Sequence, residues 1–278
     1  MKDRKNIADI PQHDPNVQKT QVQDYFSRTA ESYVASFSHR TGNDLQRLIE
    51  LGEWHPQQQA LDIATGGGHT AHAVASRVGQ VTVSDLTPRM LEKAREYLLG
   101  QGVTNASFAV ADAEHLPFEA ETFDRVTCRI AAHHFPNVRQ SVKEVTRVLK
   151  PGGIYLLIDC MAPDDAELDK FDNTVEKWRD SSHGRSFTAG EWQTFFNDAG
   201  LQVEHVEFFR KIHQYDDWTL RSQLPSSEKA ALEQFILNSD PHVQSYFEVK
   251  QKADGHLESF TNDFILLKGR KSEMRPAL

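Results

Sequence analysis

Cysteine is scarce in this chain: Cys128 and Cys160 are the only two in 278 residues, and each sits inside an apolar run rather than in a CxxC pair. That excludes a disulfide framework and a cysteine-rich metal site, and both thiols read as reduced core residues. Long apolar runs are missing as well. No stretch approaches the roughly 18 consecutive apolar residues of a membrane helix. The opening "MKDRKNIADIPQHDPN" is polar where a signal peptide is apolar. No membrane span is expected, and the location expected is cytoplasmic. Basic residues are in the minority, 31 against 40 acidic ones for a formal charge of −9. Without a cation cluster such a chain repels a polyanion, so nucleic acid is not an expected partner. Internal repeats and low-complexity tracts are absent too.

What is present is alternation. "YFSRTAESYV" and "NDLQRLIELGEW" have helical patterning after a polar first 20 residues, for which mobility is expected. "QALDIA" then reads as a strand, "HTAHAVASRVG" as a helix and "VTVSD" as a strand. The helix "TPRMLEKAREYLLGQG" follows, with Thr87 as N-cap, Pro88 at its first position, Met90, Leu91, Ala94 and Leu98 along one face, and Gly100 ending it. "ASFAVAD", "FDRVTCRI" and "GIYLLIDC" add three strands, the last two flanking the helix "VRQSVKEVTRVLK". Strands alternating with helices imply a parallel sheet covered on both faces.

Such a sheet binds ligands beyond the carboxyl ends of its strands, at the point where strand order reverses. "ALDIATGGGHT", residues 60–70, falls there: Gly66, Gly67 and Gly68 allow close backbone approach, and the next helix presents its first N–H groups. A dinucleotide brings a pyrophosphate, for which Asp62 at the strand end has the wrong charge; S-adenosylmethionine brings an ammonium and a sulfonium, for which it has the right one. The spacing also departs from GxGxxG, because position 71 is alanine. Asp85, 17 residues after Gly68, suits a ribose diol in either cofactor. Asp112, after the third strand, is placed to accept from an adenine amino group.

"ALDIATGGG", "VTVSDLTPRMLEKA", "ADAEHLPFEAETFDRV" and "EVTRVLKPGGIYLLID", in that order, resemble motifs I to IV of class I S-adenosylmethionine-dependent methyltransferases. The likeness is strongest to the branch containing the ubiquinone/menaquinone-biosynthesis C-methyltransferases. It implies a Rossmann-like, seven-stranded mixed sheet, six strands parallel and one antiparallel, with helices on both faces and an inserted helical cap. The antiparallel strand, "FTNDFILLKGRK", would lie between "GIYLLIDC" and "LQVEHVEFFRKIH". The implied organisation is a methyltransferase domain over 21–270 after the mobile 1–20. Within it are a helical lid at 21–55, a cofactor core at 56–160 and caps at about 160–187 and 214–256; a tail at 271–278 follows. By resemblance, Asp62, Ala64 and Gly66, with Gly68 in the same loop, hold the methionine end of S-adenosylmethionine, and Asp85 holds the ribose. Asp112 and Ala113 hold the adenine, flanked by Leu86 and Met90, and the Arg129 carbonyl receives the ammonium. Phe26 and Tyr33 of "F-x-x-x-A-x-x-Y" close over the cofactor. Ala64 departs from the family's pattern, which has glycine there.

Methyl transfer is an in-line displacement, so alignment and water exclusion supply most of the acceleration, and a base is needed only for an acceptor that must lose a proton. His133 and His134 in "CRIAAHHFPN", with Asp159 after the fifth strand, are the candidates, His134 slightly preferred. A paired histidine also suits zinc, but no CxxC or HExxH spacing accompanies it, and no metal is expected. Glu191, three residues after Thr188, is a capping box. The expectation is an S-adenosylmethionine-dependent methyltransferase with a small-molecule acceptor. The alternatives are an NAD(P)-dependent oxidoreductase and a non-catalytic relative of the fold acting through a partner.

Overall fold

A computed structural model describes residues 15–34 and 42–273, with side chains from 15–29 and 42–273. The chain enters through helices α1 (Pro15–Val34) and α2 (Asn43–Leu51). Strands β1 (Gln59–Ile63), β2 (Gln80–Asp85), β3 (Ala106–Val110), β4 (Phe123–Arg129) and β5 (Leu149–Cys160) alternate with α3 (His69–Ala75), α4 (Pro88–Gly100) and α5 (Val138–Val148). Then come α6 (Ala166–Arg179), α7 (Ala189–Asp198), β6 (Leu201–Gln214), α8 (Tyr215–Arg221), α9 (Ser226–Leu237), α10 (Pro241–Tyr246), β7 (Lys250–Gln251) and β8 (Leu257–Lys271).

The strand order is β3-β2-β1-β4-β5-β8-β6, with β1 to β5 parallel and β8 antiparallel to both β5 and β6. That is the expected seven-stranded mixed sheet; the two-residue β7, paired to β8, is an addition. The central strands are buried on both faces, which is why β5 reads as the unbroken run "IYLLIDC". One face packs Val138, Val142 and Val145 of α5 with Trp192 and Phe196 of α7; the other packs α3 and α4 through Ala71, Val74, Leu91 and Leu98. Thr188 and Glu191 form the expected capping box. Thr87 precedes α4 as expected, but its side chain makes no cap bond.

Two boundaries move. The segment 1–20 is not all mobile, since α1 begins at Pro15; residues 1–14 lie outside those described. Only the start of the 214–256 insertion approaches the active face. Its α9 and α10 pack instead on α6, where Leu168, Phe171 and Val175 meet Leu232, Ile236, Val243 and Phe247 in a second small core. Burial of those apolar side chains, each roughly 1.5–3 kcal/mol, holds the two helices away from the cavity.

Candidate active site

β1 ends at Ile63, and the next residues reverse sharply: Ala64, Gly66 and Gly68 have φ of +50°, +54° and +82°. A Cβ on Gly68 would stand 3.3 Å from Ala94, so glycine is needed there twice over. Ala64 holds a left-handed conformation that a glycine adopts freely. The loop is tied down by acids. Asp85, at the end of β2, accepts from the Gly66 N–H at 3.0 Å and the Thr87 N–H at 2.8 Å. Asp62 accepts from the hydroxyls of Thr127 and Thr65, both at 2.6 Å. Burial pushes each carboxyl up to about 6. The negative charge of Asp62 also raises Asp85. Two acids so placed favour a cation above them.

A cavity of about 710 Å³ opens beyond the carboxyl ends of the strands. Phe26, Ala64, Gly66, Asp85, Leu86 and Met90 line it together with Asp112, Ala113, Arg129, His133 and His134. Asp62 and Gly68 do not: the two hydroxyls hold Asp62 beneath the loop, and Gly68 serves as the N-cap of α3. The Tyr33 side chain lies outside the described residues.

The sequence did not show how α1 straps this cavity. Lys19 Nζ donates to Asp112 Oδ2 at 2.7 Å and to Glu114 Oε2 at 2.6 Å. Gln23 Nε2 donates to the Leu86 carbonyl at 2.9 Å and Gln18 Nε2 to that of His134 at 3.2 Å. Burial pushes Asp112 up, but Lys19 and the Glu114 N–H more than offset it, and the carboxyl ends below its usual range. Asp14-Pro15 is the signal that was available, an N-cap type followed by proline at the first helical position.

Arg129 was expected to act through its carbonyl; its side chain has a separate task. Its Nε donates to Asp44 Oδ2 at 2.7 Å, and Lys211 Nζ lies 3.2 Å from the same oxygen. Burial raises Asp44, but these cations bring it below the carboxylate range. The trio pins α2 against the ends of β4 and β6.

The two histidines stand in a short 3-10 turn after β4 and differ sharply. His133 Nδ1 is 2.6 Å from Asp159 Oδ1, while the other Asp159 oxygen accepts the His133 backbone N–H at 2.9 Å. Since a carboxylate only accepts, Nδ1 carries the hydrogen and Nε2 is left to take a proton. Burial depresses His133, yet Asp159, with Glu176 and Asp180 beyond it, carries it above the ordinary 6.5. His134 Nδ1 instead meets the Ser182 carbonyl at 3.1 Å, and burial together with the charge of His133 pushes it down to about 4. Of the two, His133 is the one held by a carboxylate with Nε2 left open, whereas His134 was the one slightly preferred from sequence. Asp159, His133 and Cys160 also bring ligand atoms within 4.8 Å of one another. The Asp159 oxygens there are engaged by the imidazole and by the N–H groups of His133 and Cys160.

A parallel sheet with one antiparallel insertion, a glycine turn after β1 and acids at successive strand ends define a Rossmann-like fold with its cavity at the carboxyl ends of the strands. Comparison with known proteins narrows this. A profile for the methyltransferase domain matches residues 61–157. The uncharacterized methyltransferase YcgJ of Bacillus subtilis is 36% identical over 246 residues, 88% of this chain and 97% of that protein. Its crystal structure superposes with a TM-score of 0.81 at 35% identity, covering 84% of this chain and all (100%) of that one. The ubiquinone/menaquinone biosynthesis C-methyltransferase UbiE of Brucella canis is 29% identical over 236 residues, 80% of this chain and 83% of that protein. The chain belongs to the S-adenosylmethionine-dependent methyltransferase family.

Proposed function

We propose that this chain binds S-adenosylmethionine in the glycine-loop half of the cavity and methylates a small-molecule acceptor, with His133 as the base that takes the acceptor's proton. One observation carries the reading: a single cavity is lined both by the turn at Gly66 with Asp85 and by His133, whose Nδ1 is held by Asp159. The residues fit the cofactor. Gly66 and Gly67 leave the loop without side chains, Asp85 supplies two oxygens for a diol, and Asp62 and Asp85, both raised by burial, put carboxyl groups at the loop. A dinucleotide is disfavoured by the negative charge of Asp62 beneath the loop, near where its pyrophosphate would lie.

Bound S-adenosylmethionine supplies a methyl group activated by its sulfonium. Everything else falls to the chain. Asp62 and Asp85 would offset positive charge near the loop, Asp112 and Ala113 would hold the adenine, and Leu86 and Met90 would pack against it. The strap formed by Lys19, Gln18 and Gln23 excludes water. Asp159 fixes the ring of His133 so that Nε2 takes the proton that the acceptor loses. A general base of this kind contributes about 100-fold or more.

The test is transfer of labelled methyl from S-adenosylmethionine across a library of small hydroxyl, amine and acidic-carbon compounds, with a protein substrate as control. Label in a small molecule, lost in His133→Asn and kept in His134→Asn, supports the assignment. Label entering only protein would overturn the choice of acceptor, and an undiminished His133→Asn enzyme would overturn the base.

A further inference from the structure

The acceptor half of the cavity lies over β5, β8 and β6, roofed by α6 and α8. Its cations already have partners. Arg179, at the end of α6, meets Glu176 at 3.0 Å, and Lys211 of β6 lies 3.2 Å from Asp44. Arg221, at the end of α8, is engaged as well. An ionised acceptor would have to compete with these pairs. His213 of β6 stands apart from them. It lines the same cavity, and its Nε2 is buried with no hydrogen-bond partner among the described residues.

Aromatic rings enclose that imidazole: the centroids of Phe260, Trp218 and Phe264 lie 5.5, 6.0 and 6.4 Å from its own. Burial, and then the positive charge of Arg221, Arg179 and Lys211, pushes His213 well below 6.5, so the ring is neutral at pH 7. A polar atom left bare in an aromatic wall costs free energy. A hydroxyl both donates and accepts, and so satisfies Nε2 in either tautomer. The spacing of the two histidines sets a size. His133 reaches over the end of β5 to Asp159, and only β8 lies between β5 and β6. Two strand spacings come to about 10 Å, the length of a fused pair of rings with its substituents.

Building on the methyltransferase reading, we propose that His213 selects the acceptor: an uncharged compound with a flat apolar body and a hydroxyl, the hydroxyl held at His213 Nε2. The body lies against Trp218 and Phe264, which line the cavity, and the atom to be methylated is left toward His133. An analogue without the hydroxyl leaves Nε2 bare, and a carboxylate in its place gives up its hydration to a neutral partner.

The experiment is calorimetric titration of the full-length protein, saturated with S-adenosylhomocysteine, against 2-naphthol, 2-methylnaphthalene and 2-naphthoate. The naphthol is expected to bind about tenfold or more tightly than either of the others. In His213→Phe, which keeps a ring and loses the nitrogens, its advantage over 2-methylnaphthalene is expected to vanish. His213→Leu takes the place of that variant should it fail to fold. Equal affinity for naphthol and methylnaphthalene, tighter binding of naphthoate, or no binding of naphthol would overturn the proposal, as would an undiminished advantage in either folded variant. The saturating titration with S-adenosylhomocysteine is scored first. Its failure would strike the methyltransferase reading itself, whereas its success with no preference for naphthol would strike only the role of His213.

Discussion

Over the ends of β1, β2 and β3 the cavity wall is backbone and carboxylate, whereas over β5, β8 and β6 it is arginine, lysine, histidine and indole. The first wall is short-range. Gly66 and Asp85 are joined by one hydrogen bond across neighbouring strands, and Ala64 to Gly68 is a single turn. The second is assembled from distant segments: His133 meets Asp159 across 26 residues, and Lys211 reaches Asp44 from the far side of the sheet. A turn that must present bare backbone to a ligand allows few residue types. A wall of side chains from several elements can be rebuilt without altering the fold. The contrast separates a generic cofactor function from a particular acceptor function.

The largest effect should come from the acceptor side. His133→Asn and Asp159→Asn are each expected to lower turnover by about 100-fold or more while cofactor affinity stays nearly constant, measured by single-turnover methyl transfer and calorimetry. His133 must be neutral to accept a proton, and its folded pKa is raised, so the rate should climb with pH through a midpoint above 6.5. Asp159→Asn removes the charge that raises it, and the acidic limb should shift to lower pH. An unmoved limb would detach the pair from catalysis.

On the cofactor side, Asp85→Ala should weaken S-adenosylmethionine binding by about 1–3 kcal/mol, with little further loss in the chemical step. A variant that bound normally but turned over slowly would reverse the roles of the two walls. A smaller effect follows from pH. Asp62 and Asp85 are raised to about 6, and a cationic ligand binds their ionised forms. Affinity should therefore be full above pH 7 and fall below 6, by up to about tenfold per unit for each group that must lose its proton. An affinity flat from pH 5 to 8 would show that the bound cation feels the charge of neither acid. Smallest of all, Gly68→Ala should destabilise the fold by about 1–2 kcal/mol through its positive φ and the approach to Ala94, seen as a lower melting temperature. Ala64→Gly should leave the fold intact.

The same division governs what could be read from sequence. Alternating apolar runs and the Thr87-Pro88 start of α4 place the elements, because period and punctuation are local signals. As cavity-lining acids, Asp85 and Asp112 are legible because one ends its strand and the other stands two residues beyond its own. The pairing of His133 with Asp159 was not legible, although both residues were named, since it depends on β4 and β5 being neighbours in register, Arg129 opposite Ile158. His134 was preferred for want of that contact. Lys19 was hidden by the polar composition of its surroundings. Its helix is held by tertiary bonds to Asp112 and Glu114 rather than by a strong apolar face. The split of the 214–256 insertion into a cavity-lining α8 and a buried α9–α10 pair required the partner surface of α6, which no local pattern reveals.

On the proposed function, the glycine turn and its acids serve S-adenosylmethionine. Calorimetric titration of the intact protein with S-adenosylhomocysteine and, separately, with NADH tests it most directly. The expected result is saturable binding of S-adenosylhomocysteine at one site per chain, weakened by Asp85→Ala, with no heat of binding from NADH. Saturable binding of NADH with none of S-adenosylhomocysteine would contradict it.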